Sequence, residues 1–172
     1  MRLPGGCPGA VDGPHMSTEI ERKFLVQGDF RPDSRGCERI VQGFLCSVPE
    51  RTVRVRRQRD HGYLTIKGKG DARGISRYEW EREIPADEAD ALLALCEPGL
   101  IDKTRHYVPV DDRVFEVDEF HGDNAGLVVA ELELRDPADP VPAPAWLGPE
   151  VTGDARYYNA ALRARPYRRW RE

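Results

Sequence analysis

The sequence has no apolar stretch approaching the ~20 residues of a membrane-spanning helix, which argues against a membrane protein. Its N-terminus lacks the apolar core of a signal peptide. Cysteine is sparse: the four, at positions 7, 37, 46 and 96, follow neither a metal-ligand nor a disulfide-framework spacing. They read as free thiols in a reducing compartment, so the expected location is cytoplasmic. Positive charge is not in excess. The 26 basic and 30 acidic residues leave a net charge of −4, which argues against a general nucleic-acid binder. The histidines at 15, 61, 106 and 121 form no H-E-x-x-H pair and read as surface or packing residues. Gly68-Lys69-Gly70 lacks the flanking pattern of a Walker loop.

What the chain has in abundance is charge, 33% against 40% hydrophobic over 172 residues, a length that fits one domain. That charge is patterned. Glu19, Glu21 and Lys23 occupy alternating positions. Side chains two apart in a β-strand share a face, so two carboxylates and an ammonium stand in a row with Ile20 and Phe24 behind them. Adjacent carboxylates repel unless a cation sits between them, and hard ions such as Mg²⁺ take carboxylate oxygens. The nearby lysine suggests that the metal's partner is itself an anion.

The alternation recurs along the chain. Residues 40–48 read as a strand. Arg54 and Arg56 share a face with Val53 and Val55 opposite, and after a turn at Asp60-His61-Gly62, Thr65, Lys67 and Lys69 share a face with Leu64 and Ile66 opposite, which reads as a hairpin. Arg77, Glu79, Glu81 and Glu83 oppose Tyr78, Trp80 and Ile84. Asp87 to Glu97, between Pro85 and Pro98-Gly99, predicts a helix. Lys103 and Arg105 are in phase. Glu116 and Asp118 oppose Phe115 and Val117, and Glu131 and Glu133 oppose Ala130, Leu132 and Leu134. A proline-rich loop covers 137–144, and Asp154 is placed to cap a last helix running to about Arg163. Residues 1–16 read as a disordered extension or tag remnant, with Gly13-Pro14-His15-Met16 resembling a cloning remnant and Met16 an alternative start. Residues 17–166 form the domain, and 167–172 a loose basic tail.

A half-buried sheet also alternates apolar and polar. These polar faces, however, hold almost no Ser, Thr, Asn or Gln. They carry Arg, Lys, Glu and Asp in clusters of one sign per strand, and such surface neighbours add little stability. The arrangement makes sense if the charged faces look into a closed barrel that binds metal and a polyanion, with helices and loops over the apolar outside.

The motifs, in order, are Glu19/Glu21/Lys23; Arg54 and Arg56; Thr65-Ile-Lys67-Gly68; Arg77/Glu79/Glu81; Lys103 and Arg105; Glu116-Val-Asp118-Glu-Phe120; Leu127 to Glu133; and Val151-Thr-Gly-Asp-Ala-Arg156-Tyr-Tyr-Asn159. Spread over about Ser17 to Pro166, they resemble the CYTH domain of the triphosphate tunnel metalloenzymes, most closely the short bacterial inorganic triphosphatases. The resemblance implies a mainly β (α+β) fold: a closed eight-stranded antiparallel β-barrel tunnel with a charged lumen and a few flanking helices. It also implies hydrolysis or cyclisation of triphosphates with Mg²⁺ or Mn²⁺.

Tripolyphosphate carries several negative charges, and the arginine fork suits phosphate. Arg54, Arg56, Lys67, Lys103 and Arg105 are therefore assigned to the phosphate chain, joined by Lys23 and Arg77. Glu19, Glu21 and Glu133 are the expected ligands of a first metal ion, with Asp118 and Glu131 holding a second ion or orienting a water. The expected chemistry is metal-assisted attack of water on a terminal phosphorus, with Lys23 and Glu131 as catalytic residues. The expected partner is a small-molecule polyanion, with no nucleic acid and no membrane, bound by a monomer or homodimer. One departure stands out. Relatives read Gln-Gly-Tyr-Leu where this chain has Gln42-Gly43-Phe44-Leu45, so the tyrosine that the resemblance pairs with Lys23 is missing. A class IV adenylyl cyclase, a thiamine triphosphatase and a non-catalytic polyphosphate or nucleotide binder are the alternatives.

Overall fold

The computed structural model describes residues 15–170, with side chains from Thr18 onward. The expected extension before residue 15, with Cys7, lies outside the described residues. Nine strands run in chain order: β1 His15–Val26, β2 Cys37–Cys46, β3 Arg51–Gln58, β4 His61–Gly68, β5 Ser76–Ile84, β6 Ile101–Val110, β7 Arg113–Phe120, β8 Val128–Glu133 and β9 Leu147–Glu150. The hydrogen-bonded order is β5-β4-β3-β2-β6-β7-β8-β1, and β1 returns to β5. Eight antiparallel strands thus close into a barrel.

β1 makes the closure by dividing its length. Residues 15–20 pair with β5, and residues 21–25 pair with β8. The strand takes in His15 and Met16, two residues ahead of the domain boundary that the sequence suggests. β9 adds to β1 at Phe24 and Val26, outside the ring. Nothing in the alternation predicts it, because Gly148-Pro149 reads as a strand breaker and is tolerated only at an edge.

Cross-strand partners point to the same face. Phe44 pairs with Arg54, Arg54 with Thr65, and Thr65 with Glu81, so these four line the interior. The opposite face of β1, β6, β7 and β8 is apolar and packs outward. Phe24, Val108, Phe115, Val117, Ala130 and Leu132 form a core with Phe30 and Trp146, both delivered by loops. Phe115 and Trp146 meet edge to face with ring centroids 5.2 Å apart.

Two short helices complete the fold: α1 Ala86–Leu93 and α2 Asn159–Ala164. Asp87 and Glu88 place negative charge in the first turn of α1, where the helix dipole favours it. α1 lies against β3 and β4, and its buried Ala89 fits only because Gly62 has no side chain. A Cβ there would stand 2.5 Å from the Ala89 Cβ. The pattern predicts a helix through Glu97, but the ordered turns end at Leu93 ahead of Pro98-Gly99.

Asp154 does cap, but what it caps is a 3-10 turn at Ala155–Tyr157. α2 follows only at Asn159. The β3–β4 hairpin turns at Arg59-Asp60, with Arg59 at φ +51°, earlier than the glycine suggests. The C-terminal segment is packed as far as Trp170 because its aromatics are buried against the barrel end. Tyr167 and Trp170 pack on a cluster of Ile101, Phe120, Leu127, Val129 and Leu162. That cluster matters for the site. Leu25, Ile101, Phe120 and Val129 are in phase with the inward charges, so the interior turns apolar at this end, where Leu162 of α2 plugs it. No helix among the described residues is long and apolar enough to cross a membrane.

Candidate active site

Each inward side chain owes its place to strand alternation, and closure brings segments far apart in sequence into one interior. The first cluster joins β1, β4 and β5. Lys67 Nζ lies 2.6 Å from Glu19 Oε2 and 2.7 Å from Glu79 Oε2, and Arg77 Nε donates to Glu19 at 3.2 Å. The second joins β6, β7 and β8. Arg105 forks onto Asp118 with both contacts at 2.7 Å and reaches Glu131 at 2.9 Å and Glu116 beyond it. Lys103 Nζ donates to Asp118 at 2.5 Å. Lys23 links the two clusters, donating to both Glu21 and Glu131.

Burial of these charges is tolerable only because each is paired. Burial alone would lower the Lys23 ammonium, but Glu131 and Glu21 outweigh it and hold it above its ordinary value. Burial would likewise raise Glu131, yet Lys23, Arg105 and Lys103 pull it well below the carboxylate range. Asp118 is also held low, against its burial, by Arg105 and Lys103. Lys23 is therefore protonated and Glu131 and Asp118 ionised.

Two cations are not fully compensated. Burial and the neighbouring Arg56 push the Arg54 guanidinium down. Its partners are Thr65 at 3.2 Å and Glu81 at 3.6 Å, and its Nε has no hydrogen-bond partner. Burial pushes Lys103 down, and Arg105 adds to the effect. Arg56 Nη2 donates to Glu81 at 3.1 Å and lies over the Tyr63 ring, while its Nε is also unpartnered.

A cavity of about 420 Å³ opens at the α2 end, lined by Glu19, Lys23, Phe44, Arg54, Lys67 and Arg77 together with Tyr158 and the alanines of α2. Arg163 of α2 bonds Pro98 O at 2.7 Å and Ser47 Oγ at 3.2 Å, which holds that helix over the mouth.

All the residues expected from the sequence to form the site share this interior. They fall into different groups, however. Glu19 and Glu21 face Glu133, which is solvent-accessible at the rim and makes no ion pair among the described residues. Partial burial and the charges of Glu19, Glu79 and Glu21 raise the Glu133 carboxyl. Asp118 and Glu131 are instead held by Arg105, Lys103 and Lys23. Among the described residues no three acidic side chains stand close enough together to hold an ion between them; Lys67 stands between Glu19 and Glu79, and Lys23 between Glu21 and Glu131. The donor chemistry nevertheless fits: Glu19, Glu21, Glu79 and Glu133 are an all-oxygen set suited to Mg²⁺ or Mn²⁺. Glu79, Glu81, Glu116 and Gln42 received no role from the sequence. The three carboxylates were visible through their phase with Arg77 and Asp118, whereas Gln42 carried no charge signal.

A closed antiparallel barrel with an interior of interlocked lysines, arginines and carboxylates is the architecture of the triphosphate tunnel proteins. The chain belongs to the CYTH domain family, whose model matches residues 17–159. A relative from Acetivibrio thermocellus, named an inorganic triphosphatase, is 44% identical over 158 residues, covering 91% of this chain and 100% of that protein. Another inorganic triphosphatase, from Nitrosomonas europaea, is 36% identical over 149 residues, covering 84% of this chain and 96% of its own. The crystal structure of the inorganic triphosphatase NE1496 superposes with a TM-score of 0.61 at 34% identity, covering 87% of this chain and 96% of that one.

Proposed function

We propose that this chain hydrolyses a triphosphate, inorganic tripolyphosphate foremost, inside its barrel with the help of Mg²⁺ or Mn²⁺. One observation carries the reading. Arg54 is buried with weak partners, Thr65 at 3.2 Å and Glu81 at 3.6 Å, and lines a water-accessible cavity together with Lys23, Lys67 and Arg77. A polyanion supplies the missing charge. The two relatives named inorganic triphosphatases support the same substrate class, and the free thiols of Cys37, Cys46 and Cys96 support a reducing, cytoplasmic setting.

Arg54 and Arg56 grip phosphate oxygens through N–H groups that lack partners here, and Lys103 and Arg105 neutralise charge that builds on the phosphoryl group. Lys23, held protonated by Glu21 and Glu131, acts as a cation and accepts no proton. Glu131, kept ionised far below its ordinary range, holds Lys23 and Arg105 in place. Glu19, Glu21, Glu79 and Glu133 are the residues to hold a divalent ion, which when bound polarises a phosphate oxygen and acidifies water. Lys67 releases Glu19 as it turns to phosphate.

The test is phosphate release from tripolyphosphate, ATP and thiamine triphosphate with Mg²⁺ or Mn²⁺, together with detection of cyclic AMP. Tripolyphosphate is expected to turn over fastest, with Glu19→Ala abolishing the metal-dependent rate. Cyclic AMP formation would make the chain a cyclase. Binding of tripolyphosphate without any turnover would make it a sensor.

A further inference from the structure

The β2–β3 wall of the barrel differs from the rest. On β6, β7 and β8 the buried inward charges Lys103, Arg105, Asp118 and Glu131 all have partners, and only Glu133 at the rim is without an ion pair among the described residues. On the inward face of β2 and β3 the buried polar atoms without a hydrogen-bond partner are Nε of Arg54, Nε of Arg56, Oε1 of Gln58 and both amide atoms of Gln42, while Arg57 Nη1 is unpartnered on the outward face. Gln42 is 1% exposed and pairs across the sheet with Arg56 on β3 and Ile101 on β6. It is two residues from Phe44, which lines the cavity beside Lys23 and Arg54, so its amide points inward as well. A buried amide left without partners is costly and is kept only where something compensates. The other neutral amide on this face, Gln58, is half committed, its Nε2 donating to Glu38 at 2.6 Å, and Thr65 of the adjoining β4 donates to Glu81 at 2.6 Å. Among the described residues of this face, Gln42 is the neutral side chain with both its donor and its acceptor uncommitted.

We propose that Gln42 orients the attacking water. The inference rests on the triphosphatase reading above. Oε1 accepts a hydrogen bond from the water, and Nε2 donates to an oxygen of the terminal phosphoryl group that Arg56 holds. The water oxygen forms the new P–O bond. The bridging P–O bond breaks with its electron pair passing to the departing diphosphate, and the water's proton ends on the phosphate oxygens. Gln42 exchanges no proton, as suits an amide in phosphoryl transfer. It touches the reacting atoms and so counts as a catalytic residue.

The test uses Gln42→Met, of similar length and without polar atoms, and Gln42→Glu, measured on the full chain with tripolyphosphate and Mg²⁺. Gln42→Met is expected to lower kcat about 100-fold with KM within about threefold, because the arginines still bind substrate. Its melting temperature is expected to stay level or rise, since two unpartnered buried atoms are removed. Gln42→Glu is expected to recover activity relative to the parent as pH falls, because a protonated carboxyl restores a donor beside an acceptor. A Gln42→Met variant with kcat within twofold of the parent overturns the assignment. So does a loss carried by KM alone, or one accompanied by a lowered melting temperature, either of which makes Gln42 a binding or a packing residue. No turnover by the parent chain would overturn the triphosphatase reading, and this assignment with it.

Discussion

Lys67 Nζ stands 2.6 Å from Glu19 Oε2, so a residue assigned to phosphate and a residue assigned to metal are each other's partner. The pair has little solvent around it, at 7% and 19% side-chain exposure. On the proposed function, binding would be an exchange in which Glu19 leaves Lys67 to hold a divalent ion and Lys67 leaves Glu19 to hold phosphate. In the structure each of the two compensates the other's charge, which makes their burial tolerable.

Lys67→Ala leaves Glu19 and Glu79 facing one another without their ammonium. Loss of one member of a buried pair costs about 3 kcal/mol. The metal-free variant is expected to melt well below the parent, and Mg²⁺ is expected to raise its melting temperature more than it raises the parent's. Thermal unfolding with and without Mg²⁺ checks both. Equal increments in the two proteins would separate Glu19 from the metal.

Arg54 represents the opposite case, a buried cation held by weak partners. Arg54→Met is expected to leave the melting temperature unchanged or higher, since the charge it removes is poorly compensated. The KM for tripolyphosphate is expected to rise roughly 10- to 100-fold, the value of one charge-assisted hydrogen bond of about 1.5–3 kcal/mol. Steady-state kinetics beside a melting curve reads the two effects separately.

Glu133 gives a pH signature. Partial burial and the nearby carboxylates raise its folded-state proton affinity. A raised value means a stabilising contribution that is present below the ordinary glutamate range and lost as pH rises through the folded-state value. The metal-free parent should therefore lose stability as pH climbs through the region just above that range, and Glu133→Gln should flatten the loss. The same variant is expected to shrink the stabilisation by Mg²⁺. Melting temperatures across pH, with and without the ion, check this.

The inward charges were legible because strand alternation has a period of two and the chain marks each face with charge. Arg54, Arg56, Lys103 and Arg105 could be placed from that period alone. The phase of Ile101 and Phe120 was equally visible, but not its meaning: they are inward positions made apolar because α2 closes that end, and closure is a long-range fact. The grouping of the carboxylates was hidden for a similar reason. Glu131 and Glu133 are near neighbours in sequence, yet one lies between Lys23 and Arg105 while the other reaches the rim. β9 and the packed tail depend on docking rather than on pattern. The inward placing of Gln42 is hidden in the sequence, because a single uncharged residue on an apolar strand carries no periodic signal.

If the reaction runs inside the barrel, its rate depends on which face of the wall a charge occupies, and neighbours on β3 test it. Arg56 faces inward onto Glu81, whereas Arg57 faces outward onto Asp90 of α1. Hydrolysis of tripolyphosphate by Arg56→Met and Arg57→Met should be compared under identical conditions. Arg56→Met is expected to lose about 10- to 100-fold in kcat/KM, and Arg57→Met to match the parent. Equal losses in the two variants, or a loss confined to Arg57→Met, would contradict a reaction inside the barrel.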